Sequence, residues 1–211
     1  MSSAANVEKV REATGSSNSA EAAVKPSERK KWVWSVVLVV IRVLAFCATM
    51  SATIIMALNK QTKTLVVATV GTTPITATIS AKFHHTPAFV FFVIANGIVS
   101  LHNLLMLAAE LFGRRLDYKG FRLPIIAILD MMNVAVISGG ANGAAFMAEL
   151  GKNGNSHARW DKICDKFQTF CDHGGAALAA SFVGLLLMLI ISTISILKFS
   201  NILKSNNSLL L

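Results

Sequence analysis

Two hundred and eleven residues would ordinarily suggest one soluble domain or two small ones, yet 54% of the chain is hydrophobic and 15% charged, against about 25% charged in a typical soluble domain. A mean hydropathy of +0.58, with the apolar residues in long unbroken runs, excludes a disordered chain and argues against a soluble globule. The net charge of +9 lies in the gaps between those runs and forms no basic stripe among aromatics, so no nucleic-acid partner is expected, and three cysteines are too few for a disulfide scaffold.

Residues Met1 to Lys31 are polar and have no apolar run, so they cannot bury enough surface to offset their ordering entropy. They are expected to form a disordered tail, with no cleavable signal peptide because no apolar core lies near Met1. A bilayer core of about 30 Å needs about 20 apolar residues in a helix. Four stretches qualify: Val33–Leu58, interrupted by Arg42; Ala88–Ala109; Leu123–Met147, interrupted by Asp130; and Ala176–Leu197. The expectation is an all-α membrane protein, a four-helix bundle over residues 32–198, with a short tail over 199–211. Trp32 and Trp34 suit the headgroup level at the start of the first span.

Four spans place both termini on one side. The terminal side carries Lys25, Arg29, Lys30, Lys31, Arg114, Arg115, Lys119, Arg122, Lys198 and Lys204, ten basic residues against seven opposite. The positive-inside rule therefore predicts cytosolic termini. A sequon at Asn206 falls in the predicted cytosolic tail, so glycan there would invert the topology.

Loop one, Lys60 to Pro87, has no acidic residue and two β-prone runs, 64–70 and 75–80, around Gly71-Thr72-Thr73-Pro74. A β-hairpin and a structureless loop both fit, since lone two-stranded hairpins are marginal. Loop two, Gly151 to His173, is polar and holds Cys164 and Cys171 with six residues between them. In an oxidising compartment a short-loop disulfide is the default. A zinc site from His157, Cys164, Cys171 and His173 is the alternative, but its spacing matches no usual zinc pattern. No metal and no cofactor is expected. Cys47, in the first span, reads as a small packing residue.

Arg42 and Asp130 carry the strongest signal. An ionisable side chain at mid-membrane costs about 2.5–3.5 kcal/mol on insertion scales and usually faces the bundle interior with a partner. Spans one and three run in the same direction. Arg42 lies roughly 15 Å past Trp32 and Asp130 roughly 10 Å past Leu123 at the helical rise, so an arginine stem can join them. The pair can serve as a structural clamp or line an ion or proton path. The clamp is preferred, because a path usually shows more intramembrane polar residues and broken helices, and Asn96, His102, Asn103 and Asn142 look scattered. His102 reads as a hydrogen-bonded packing residue.

Small residues mark helix contacts: the G-x-x-x-G of Gly139 and Gly143, with Gly140 and Ala144 beside it, and Ala176, Ala180 and Gly184 at every fourth position. They fit contacts within the bundle or between subunits equally well. No nucleophile with a base, phosphate loop or paired carboxylates is present, so no enzyme activity is expected.

The chain resembles the CASP-like family, plant relatives of the Casparian strip membrane domain proteins. Carrying the resemblance are Thr86-Pro87-Ala88-Phe89-Val90-Phe91-Phe92, the span-one arginine and span-three aspartate, and loop two, with Gly154-Asn155-Ser156-His157, Trp160, Ile163, Cys164, Phe167, Phe170 and Cys171. These features look like the group-1 CASP-like subfamily. The resemblance implies a MARVEL-related four-span plasma-membrane protein. It implies homo-oligomers and hetero-oligomers with related four-span proteins, contact with membrane lipid, and recruitment of extracellular wall-modifying enzymes such as peroxidases. A loop one without acidic residues, and with Phe83 as its aromatic, favours the wider CASP-like group over a Casparian-strip role. The expected function is a non-enzymatic scaffold. A small transporter or channel using Arg42 and Asp130 is the alternative.

Overall fold

The computed structural model describes residues 26–112 and 122–207. Most of the expected tail, together with Arg114, Arg115, Lys119 and Ser208 of the Asn206 sequon, lies outside the described residues. Contacts divide the chain into two units, Met1–Val39 and Val40–Leu211. In the first, the described residues open helix α1 (Pro26–Ala57), with Trp32 and Trp34 exposed. Pro26 suits a first helical position, where the missing N–H has no intrahelical acceptor to serve. The helix thus takes in the six residues before Trp32 that the composition assigns to the tail.

In the second unit α1 leads into strands β1 (Lys60–Val70) and β2 (Thr73–Lys82), a 3-10 turn (Phe83–His85) and helix α2 (Pro87–Phe112). Helix α3 (Arg122–Asn153) and helix α4 (Gln168–Asn207) complete it. All four helices are long and apolar enough to cross a membrane, over Trp32–Ala57, Pro87–Leu111, Pro124–Asn153 and Gln168–Asn201. A helix satisfies its backbone polar groups internally, which hydrocarbon demands. Exposed Leu44, Ile94, Leu105, Ile128, Leu186 and Ile196 give all four an apolar outward face. Helix α4 runs ten residues past Leu197, through the stretch expected as a short tail.

Loop one is a hairpin. Its strands pair antiparallel from Lys60↔Lys82 to Val70↔Thr73, with a bulge between Val66 and Ala68. The turn is tighter than the sequence suggests: Gly71 and Thr72 alone form it, and Thr73 and Pro74 belong to β2. Gly71 takes a φ of +64°, the left-handed region that glycine enters without steric cost.

Beneath the hairpin lies a buried cluster that includes Ala52, Met56, Phe89, Phe92, Ala144, Phe167, Phe170 and Leu178. The hairpin base is tied to it. Asn59, buried after α1, donates from Nδ2 to the Phe170 carbonyl at 2.8 Å, and the Phe170 amide donates to Gln61 Oε1 at 2.9 Å. Both backbone groups of Phe170 are thereby held by loop one, and its ring lies 6.1 Å from that of Phe89.

Two close approaches set helix spacing. A Cβ on Gly184 would lie 2.7 Å from Thr49 Cγ2, and one on Gly140 would lie 2.7 Å from Ala95 Cβ. Gly184 brings α4 against α1, and Gly140 brings α3 against α2. The G-x-x-x-G glycines do not set this spacing within the chain. The tight contact falls on Gly140, while Gly139 has an ordinary neighbour in Phe91 and Gly143 has open space. On α4, Ala177 is buried while Ala176 faces outward and Ala180 is half-buried.

Candidate functional site

Asp130, on α3, has no exposed surface and accepts hydrogen bonds from the three other helices. Arg42 of α1 donates from Nη1 to Oδ1 at 3.2 Å and from Nη2 to Oδ2 at 2.8 Å. The planar guanidinium matches the carboxylate fork and gives a charge-assisted, two-point contact. His102 of α2 places Nε2 2.8 Å from Oδ1. An ionised carboxylate only accepts, so Nε2 carries the proton in that bond. Ser195 of α4 donates from Oγ to Oδ2 at 2.7 Å. Each oxygen therefore accepts two bonds, and one side chain ties all four helices together.

The arrangement answers the cost of a charge in hydrocarbon. Asp130 and Arg42 cancel, both essentially without exposure. A buried pair holds only when further hydrogen bonds fill the remaining lone pairs, and His102 and Ser195 do this. Among the described residues, Arg42 Nε is the one guanidinium nitrogen at the centre without a hydrogen-bond acceptor.

Further polar contacts link α2 and α4 on either side of this depth. Ser181 donates to Asn96 Oδ1 at 2.9 Å across α4 and α2, and Asn96 returns its amide to the Phe92 carbonyl. Asn103 donates to the Val99 carbonyl and to Met188 Sδ. Residues that look scattered in the sequence thus share the interior, except Asn142, which is exposed and bonds within α3 to Ser138.

His102 is the hydrogen-bonded packing residue the sequence suggests, but its place beside the pair, and Ser195 altogether, escape the sequence reading. A depth count places His102 with the pair. It lies nine residues, roughly 14 Å, from Leu111, where Arg42 lies roughly 15 Å from Trp32. Serines are too frequent in spans for Ser195 to stand out.

At the other end, Cys164 and Cys171 are joined, with Cα atoms 5.6 Å apart. Their sulfurs are therefore not thiolate ligands, which removes the zinc arrangement with His157 and His173. The approach to this disulfide is built locally. Gly154 follows α3 with φ +69°, and a Cβ there would lie 2.7 Å from the Trp160 carbonyl. Asn155 Oδ1 accepts from the amides of His157 and Ala158, and Asn155 pairs with Trp160. The Ile163 and Cys164 amides then return to the Gly151 carbonyl at 2.8 and 3.1 Å. Of the loop-two aromatics and their neighbour, Phe167 and Phe170 are buried, while Trp160 and Ile163 are exposed. Cys47 is also exposed, on the outward face of α1, and does not pack in the core.

Four spans, a buried polar centre and a hairpin joined to a disulfide loop define a multi-span helical membrane protein. The Casparian strip membrane protein domain model matches residues 31–187, and the chain belongs to that family, as a group-1 CASP-like member. It is 71% identical over 169 residues to a CASP-like protein 1B2 of Populus trichocarpa, covering 80% of this chain and 83% of that protein. It is 69% identical over 179 residues to a CASP-like protein 1B1 of the same species, covering 85% and 90%. It is 64% identical over 160 residues to a CASP-like protein 1B1 of Arabidopsis thaliana, covering 76% and 81%. No solved structure matches the chain.

Proposed function

We propose that the protein is a non-enzymatic scaffold of the plant plasma membrane, with both termini cytosolic and both loops extracellular. It assembles with itself and with related four-span proteins and presents the hairpin and loop two to wall-modifying partners. The observation that carries this reading is the closed polar centre: both Asp130 oxygens are filled by donors from three helices. Such a centre holds helices in register, and it leaves no lone pair poised for a passing ion. Arg42 and Asp130 act here as a clamp. The exposed Trp160 and Ile163, beside a disulfide that fixes their loop, supply a rigid contact surface. Gly143, where an added Cβ would meet nothing among the described residues, and the exposed Ala176 support contact between subunits.

The test against transport is ion flux in vesicles containing the purified protein. The scaffold reading expects flux equal to that of empty vesicles. Flux that Asp130→Asn abolishes, in a protein that still folds, would replace it with the transporter.

A further inference from the structure

Where α2 begins, α3 ends and α4 begins, the bundle opens into a cavity of about 1100 Å³. Its floor is the loop-side edge of the core, with Phe89, Ala145, Ala148, Phe167 and Leu178 in the lining. The space is a cleft open on one side rather than a void in the packed interior. A large, mainly apolar pocket with a few polar groups suits an amphipathic ligand. One wall is the end of β2 and the start of α2. Another is the segment stapled by Cys164–Cys171, whose two cysteines both line the cavity.

The polar lining identifies the ligand's other end. Lys82, Lys152 and His85 line it together with Glu149, Asp161 and Asp172. The two lysines and three carboxylates nearly cancel. A singly anionic headgroup would meet an excess of carboxylates, and an uncharged one would hydrogen-bond here but offset none of the charges. A zwitterion places its phosphate near the lysines and its ammonium near the acids. Location adds a second constraint. The lining runs along the ends of three spans, at Pro87, up to Lys152 and from Gln168, where headgroups and acyl chains of one leaflet meet.

We propose that this cavity binds one zwitterionic phospholipid from the leaflet that faces the loops. An acyl chain lies over Phe89, Ala148 and Leu178, and the headgroup lies among Lys82, Lys152 and the three carboxylates. This site is separate from the Asp130 centre and does not depend on the scaffold reading.

The test is native mass spectrometry of the purified full-length protein, stripped of lipid and then offered equal phosphatidylcholine and phosphatidylglycerol. The expected result is severalfold preferential retention of phosphatidylcholine. Ala148→Trp, which fills the floor, should lose the retained lipid while keeping the disulfide, judged by resistance to alkylation. The exposed-rim variant Glu149→Gln/Asp161→Asn/Asp172→Asn leaves Lys82 and Lys152 without opposing acids, so it should fold and lose the preference. Equal retention of the two lipids, or wild-type retention by Ala148→Trp, would overturn the proposal. If Ala148→Trp does not fold, the rim variant decides, and an unchanged preference there overturns it. Free phosphocholine should not displace the lipid; displacement would assign the site to a soluble headgroup and overturn the lipid assignment.

Discussion

Replacing Asp130 with alanine removes the one acceptor shared by four helices. Arg42, 1% exposed, is left as a cation with no counter-charge and three nitrogens without acceptors. His102 and Ser195 lose their partner in the same step. Breaking one side of a buried pair costs about 3–5 kcal/mol, a large share of the roughly 5–15 kcal/mol by which folded domains are stable. The loss comes from stranding the cation rather than from forfeiting the attraction. Arg42→Met/Asp130→Leu therefore removes both charges and should be less damaging than Asp130→Ala alone. The assay is thermal unfolding in detergent, followed by size-exclusion recovery. Wild-type stability in Asp130→Ala, or a double variant worse than the single, would refute the reasoning.

Ser195→Ala removes one donor but no charge and should cost about 0.6 kcal/mol, up to about 1.7, the range for hydrogen bonds between membrane helices; the same melting assay reads it. Gly184→Ala sets a methyl 2.7 Å from Thr49 Cγ2 and should cost about 1–3 kcal/mol by overpacking. Thr49→Ser deletes that Cγ2 and should restore most of the loss; failure of the rescue would place the strain elsewhere. Cys164→Ser opens a loop with a sequence separation of 7, for which chain entropy gives about 2.5 kcal/mol. Wild type under reductant should melt like this variant, and the variant itself should not respond to reductant.

The helical architecture was legible because spans announce themselves by length and apolarity, and Arg42 and Asp130 because a charge inside such a run has few explanations. What escaped was relational. Asn59 and Gln61 look like ordinary loop polars until Phe170 is placed between them. His102 looks like a lone packing histidine until helix depth sets it beside Asp130. Gly140 and Gly143 are equivalent as sequence, and only the rotation of α3 against α2 decides which one meets Ala95. The helical starts and ends at Pro26 and Asn207 reach beyond the apolar runs, because a helix once formed continues at little cost through polar residues of fair propensity.

Lateral mobility of a fluorescent fusion in plant plasma membrane, measured by photobleaching, tests the scaffold most directly. The account predicts slow and incomplete recovery in patches, as for chains held in a shared assembly. Fast and complete recovery over the whole membrane would contradict it.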